Sequence, residues 1–333
     1  MHAIVKSFKT YIVEGRFVSL FVSLVIVVMR AAMFSRGDTL LVVYPDTGYL
    51  WQYVAHWFAD PMVSHASSTL SVFLIAGLIS AMNHRFTLIR SRSSLPFTAP
   101  LFLLSLHPWF MVMRADYVAI IFVLIAFFPL LKSYQISNDP LFSFRSAILI
   151  GIASLFQIYA LAMLPLWWHG EWSMRGPHFR SFLSSLFGLS LVYVSLFAQY
   201  FLVDDVEGFV RPFLSFAAFS LPQLPAFSLM EWGVVALAGL YFISNMVLSI
   251  RVYSRDKVLT LNFMQFVVFL IILQLLLQLL YWKETLFFLS LSIALISYLN
   301  AYFYTRTQSP AYIYLALLIV ATGFLFYLSH FSK

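Results

Sequence analysis

Apolar runs of membrane-crossing length recur along this chain, with short polar loops between them. A helix needs roughly 20 apolar residues to cross a bilayer's hydrocarbon core. Segments 17–34, 67–83, 96–113, 115–132, 181–202, 229–250, 260–281, 284–304 and 311–329 come close to or exceed that length. A further apolar stretch, 146–168, is interrupted by Gln157 and Pro165. It reads either as one crossing or as two short helices that meet near Gln157. The pattern predicts an all-α polytopic transmembrane bundle of about 9–11 membrane segments. It leaves no stretch for a separate soluble domain, so residues 1–333 form a single integral membrane domain.

The basic residues choose between the two readings of 146–168. Short cytoplasmic loops collect Lys and Arg. If 146–168 crosses once, the basic residues divide almost evenly between the two sides. If it returns to the side it entered from, 14 of the 20 lie together, with Arg36, Arg114, Arg211, Lys283 and Lys333 opposite and Arg30 inside a span. The expectation is therefore a re-entrant helical pair at 146–168, a cytoplasmic N-terminus at 1–16 and an outward C-terminus. Lys6, Lys9 and Arg16 precede an apolar run with no small-residue cleavage site, which reads as an uncleaved first span.

Composition narrows the class. A chain that is 62% hydrophobic and 10% charged is not a soluble globule. Its net charge of +7 belongs to loops lying beside anionic lipid, not to a nucleic-acid surface. The absence of cysteine excludes disulfides, thiolate metal sites and cysteine nucleophiles.

The outer side holds most of the acids, including Asp38, Asp46, Asp60, Asp116 and Glu284. In the first outer loop, Pro45-Asp46-Thr47-Gly48 makes a turn, and Tyr49, Tyr53 and Trp57 follow at helical spacing. This predicts an interfacial helix over 46–58 that holds Asp46 at the membrane surface. Arg30 lies deep in the first span, where a charge must be paired, face water or snorkel outward. His56, Asp60 and His65 match no recognised metal-ligand spacing, and no metal ligand is assigned. Gln274 and Gln278 share a helix face suited to interhelical hydrogen bonds.

An acid soon after the first span, a Tyr three positions later and an interfacial helix resemble the first outer loop of GT-C glycosyltransferases. Met113-Arg114-Ala115-Asp116-Tyr117 is similar to the acid at the outer start of their fourth span. Gly151 to Gln157, then Ala160 to Pro165, resembles their broken hairpin. The likeness covers about 35–200, and the whole chain resembles a Bacteroidota family of multi-span inner-membrane proteins. It implies transfer of a sugar from a polyprenyl-phosphate carrier at the outer leaflet of a bacterial inner membrane. Asp46 would be the catalytic base, with Asp116 and Asp38 as partners and a divalent cation as an optional cofactor. Arg114, Arg36, Arg211 and Arg30 would grip the donor phosphate. The residues leave two other readings open: a non-catalytic envelope-biogenesis subunit or scaffold among partner membrane proteins, and a transporter or flippase.

Overall fold

The computed structural model describes residues 2–36, 48–136, 139–220, 222, 229–254 and 256–331. Asp38 and Asp46 lie outside the described residues. The helices are α1 (His2–Ser7), α2 (Val18–Ser35), α3 (Trp51–Val54), α4 (Pro61–Phe86), α5 (Leu95–Leu103), α6 (Ala115–Lys132) and α7 (Leu141–Phe156). They continue with α8 (Met163–Arg175), α9 (Phe179–Leu202), α10 (Val206–Ala217), α11 (Leu229–Tyr253), α12 (Val258–Leu280), α13 (Thr285–Arg306) and α14 (Pro310–Phe331). Among the described residues no strand forms beyond a bridge between Ser220 and Tyr281. Eight of the helices, α2, α4, α6, α9, α11, α12, α13 and α14, are long and apolar enough to cross a membrane. The chain is a multi-pass helical membrane protein.

Contacts sort the helix ends onto two faces. On the N-terminal face, the Ser94 N–H donates to the Val13 carbonyl at 2.8 Å, and Arg175 donates to the Asp139 carbonyl at 2.8 Å. Here Asp256 holds two arginines, Arg306 at 2.6 Å and Arg90 at 3.4 Å, and accepts the Tyr302 hydroxyl. Burial alone would raise the Asp256 carboxyl. The hydrogen bonds from Arg306 and Tyr302, with the charges of Arg306 and Arg90, outweigh it and hold the group below its ordinary value. On the opposite face, the Leu50 N–H meets the Leu155 carbonyl at 2.9 Å, the Met113 N–H meets Ser64 Oγ at 2.9 Å, and the Ser220 N–H meets the Leu280 carbonyl at 3.0 Å.

Residues 141–175 form a hairpin. α7 rises to the far face, a 3-10 turn (Ile158–Ala162) reverses the chain, and α8 descends. The feet are tied by Glu171, which accepts from Ser143 at 2.6 Å and from Arg175 at 3.1 Å. Gln157 ends α7 in extended backbone, φ −138°. The pair extends well beyond the expected 146–168. Pro165 produces no break, because it lies in the first turn of α8, where no intrahelical N–H bond is lost.

The expected continuous span at 96–113 is corrected. α5 has nine residues, about 13 Å of helix and less than half the hydrocarbon core. Pro96 and Pro100 lie within it, and Pro108 follows in the irregular stretch up to Arg114. Lipid cannot satisfy the backbone groups that such a break frees. Arg30 of α2 does so in part. It is 1% exposed and donates to the Leu104 carbonyl (3.2 Å), the Phe110 carbonyl (3.0 Å), Ser105 Oγ (3.4 Å), Ser68 Oγ (2.6 Å) and Thr69 Oγ1 (2.8 Å). A guanidinium carries five N–H donors, so this set uses every one. Arg30 staples the broken crossing to α4 instead of reaching a lipid phosphate.

The interfacial helix expected over 46–58 is also shorter, α3 followed by a 3-10 turn (Ala55–Phe58). Its aromatic stripe is divided: Tyr53 and Trp57 are exposed, whereas Tyr49 is buried against the bundle. A second surface helix, α10, was not anticipated. Its Phe209 and Phe213 turn inward onto Tyr49, while Val206, Val210 and Leu214 stay exposed.

The absence of cysteine makes this topology directly testable. Single cysteines at the exposed positions Arg180 and Glu207 should label from opposite sides of sealed vesicles. Arg180 belongs to the face that carries most of the basic residues. Labelling of both from one side would refute the order of crossings from α9 to α10.

Candidate functional site

The loop after α2 re-enters the described chain at Gly48, two residues after Asp46. A Cβ on Gly48 would collide with the backbone carbonyl of Phe156, so only glycine lets the loop settle on the hairpin tip. Tyr49 then plugs into an aromatic cage of Tyr193, Tyr200, Phe209 and Phe213, and its hydroxyl donates to the Phe209 carbonyl at 2.7 Å. Burial pushes the Tyr49 phenol pKa up, with Tyr193 and Tyr200 adding to the effect. Gln52 donates to the Tyr200 hydroxyl at 3.1 Å. Replacing Gly48 with Ala should dislodge this anchor. Limited proteolysis in the loop after α2 should accelerate, and unchanged cleavage would show that the contact does not hold the loop.

Directly beside that anchor is a cluster of charged and amide groups. Arg114 lies in extended backbone before α6, and Asp116 is in that helix's first turn, where an acid complements the helix dipole. The Arg114 Nε donates to Asp116 Oδ2 at 2.8 Å. Gln157, fully buried at the hairpin tip, sends its amide nitrogen to Asp116 Oδ1 at 2.8 Å and to Glu284 Oε2 at 3.1 Å. Glu284 immediately precedes α13. One amide therefore links two carboxylates that are 168 residues apart in sequence, from three separate helix ends. Asp116 is 3% exposed, and its partners supply the hydrogen bonds that a buried carboxylate requires.

The structure joins some of the sequence candidates and separates others. Arg114 and Asp116 form an ion pair. Arg30 is committed to the broken crossing, as described above. Arg36 closes α2 and is exposed. Arg211 is exposed on α10, whose phenylalanines turn toward the bundle. Asp60 caps α4 by accepting the N–H groups of Met62 (2.7 Å) and Val63 (3.3 Å). His65 instead stacks on Phe34, with ring centroids 4.8 Å apart. Among the described residues, no group of three His, Asp or Glu side chains is arranged to hold a metal ion.

Sequence reading did not assign Gln157 and Glu284 to the site. Gln157 was visible as the polar break in an apolar hairpin, but its pairing with two distant acids depends on the fold. Of the two other intramembrane glutamines noted, Gln274 accepts the Ser292 hydroxyl at 3.0 Å and joins α12 to α13. The chain matches no protein-family model, no curated protein and no solved structure.

Proposed function

We propose that this protein transfers a sugar from a polyprenyl-phosphate carrier at the outer leaflet, as a GT-C-like glycosyltransferase of a bacterial inner membrane. In this reading the N-terminal face is cytoplasmic, as the 14-to-5 division of basic residues supports. The observation that carries the proposal is the Arg114–Asp116–Gln157–Glu284 cluster on the opposite face. It sits at the start of two membrane-spanning helices, against the point where the first outer loop docks.

Sugar transfer requires a base for the acceptor hydroxyl and a cation for the departing phosphate. Asp46 is the base in this reading. Arg114, held by Asp116, grips the phosphate, and Asp116 acts as a positioning residue because its two oxygens already accept from Arg114 and Gln157. Glu284, partly exposed, is the second acid that can face an acceptor. Asp38 stands as a further partner of Asp46, and Arg36 and Arg211 as secondary cations on the same face.

A second reading has its own support. Asp116 is buried and fully engaged by protein partners, which suits a latch holding the hairpin tip to α6 and α13 in a non-catalytic scaffold. Substituting Asp46→Asn and measuring envelope glycans and lipid-linked sugars in the native host separates the two. Loss of one glycan with accumulation of its lipid-linked donor supports the transferase. Unchanged glycans and donors refute it and leave the scaffold.

A further inference from the structure

A slot opens on the lipid-facing side of the bundle between the first and last membrane helices. Its walls are Phe21, Val25 and Met29 of α2 and Leu317, Ala321 and Phe324 of α14, with Phe102 of the short α5 as its floor. The cavity measures about 430 Å³, and all of its lining residues are apolar. Its origin is the broken third crossing. α5 stops at Leu103, and α2 and α14 each lean on the broken segment without closing over it. Gly323 of α14 lies against Phe102 and Leu106, while Arg30 of α2 binds the carbonyls of Leu104 and Phe110.

We propose that this slot holds one acyl chain of an anionic phospholipid drawn from the leaflet on the N-terminal face, with the lipid phosphate against Arg16. Four observations select this occupant. The walls are membrane-spanning helices, so the medium that reaches the slot is hydrocarbon. An apolar groove offers water no hydrogen-bond partners, so hydrocarbon and not water fills it. The far end is closed, because the Tyr327 hydroxyl crosses from α14 to the Met29 carbonyl of α2 at 2.8 Å. A chain therefore enters from the foot. At the foot of α2, Arg16 is exposed two residues before the helix begins, and Lys6 of α1 is exposed on the same face. That pairing of an apolar slot with a basic foot fits a hydrocarbon chain ending in an anionic headgroup. The chain would also finish the shielding of irregular backbone that lipid-exposed structure does not tolerate.

The test uses the intact protein in nanodiscs of zwitterionic phospholipid, with and without phosphatidylglycerol, followed by gentle delipidation and native mass spectrometry. The wild type should retain one phosphatidylglycerol. Ala321→Trp, on an exposed wall of the slot, should lose that lipid. Val194→Trp, on the lipid-facing side of α9, should keep it. Arg16→Glu should still retain a lipid but lose the preference for phosphatidylglycerol over the zwitterionic lipid. Equal retention by Ala321→Trp and wild type overturns the slot as the binding site. An unchanged preference in Arg16→Glu overturns the headgroup assignment. If Ala321→Trp lowers the amount of folded protein, a diazirine-bearing acyl chain on phosphatidylglycerol supplies the second measurement on the wild type: crosslinks at 317–324 support the proposal, and crosslinks spread evenly over α9 and α14 overturn it.

Discussion

Arg30→Met should lower the stability of the detergent-solubilised protein by about 3 kcal/mol, enough to remove most of the folded material from a membrane extract. Two effects compete. Methionine relieves the desolvation of a buried cation, because the hydroxyl and carbonyl oxygens that Arg30 bonds carry no charge. It also leaves the Leu104 carbonyl without its side-chain donor and deprives the Phe110 carbonyl of one of two; the Tyr117 hydroxyl, at 2.7 Å, remains. Water cannot replace those donors inside a bilayer, so the second effect wins. Arg30→Lys should do no better than methionine. An ammonium keeps the charge but has three donors at one point, and it cannot span acceptors on both α4 and the broken segment. Thermal unfolding followed by size-exclusion recovery measures this. A stable Arg30→Lys protein would mean that charge, not donor geometry, holds the third crossing.

The second large effect concerns the Arg114–Asp116–Gln157–Glu284 cluster. Asp116→Asn preserves shape but removes the charge that orients Arg114 and receives the Gln157 amide. If the transferase reading holds, turnover of the lipid-linked sugar should fall by roughly 10²–10⁴-fold, the usual worth of a positioned acid–base or charge contact. Glu284→Gln should fall less if it only faces the acceptor, and Arg114→Glu should weaken donor binding before it affects turnover. A latch behaves differently. Asp116→Asn would then reduce the yield of folded protein while glycans change only in proportion to that yield. Normalising activity to folded protein distinguishes the outcomes. A normal rate per folded molecule in Asp116→Asn sinks the positioning role.

Much of the architecture follows from one-dimensional information, because lipid imposes a one-dimensional rule: each crossing needs its own length of apolar residues. The limits of α6 coincide with the expected 115–132, and those of α9, α12, α13 and α14 differ from expectation by at most two residues at either end. Membrane-crossing character was therefore legible in the hydropathy pattern, although of the nine continuous spans expected, eight are helices long and apolar enough to cross among the described residues. The break at Gln157 was legible too, as a polar residue in an apolar run.

The third crossing was not legible, because 96–113 is as apolar as a true span. Its prolines warn of a kink, but only tertiary packing decides whether a kinked helix continues or gives way to irregular backbone. Here it gives way because Arg30, 74 residues before its nearest partner in that segment, supplies the missing donors. The same reason hid the role of Arg30, which looked like a candidate lipid ligand until its acceptors were in place. The site divides in the same manner. Arg114 and Asp116 are two residues apart, and their pairing is local. Gln157 and Glu284 join them only because three helix ends meet on one face, and hydrogen bonds between such distant residues exist only in the folded bundle.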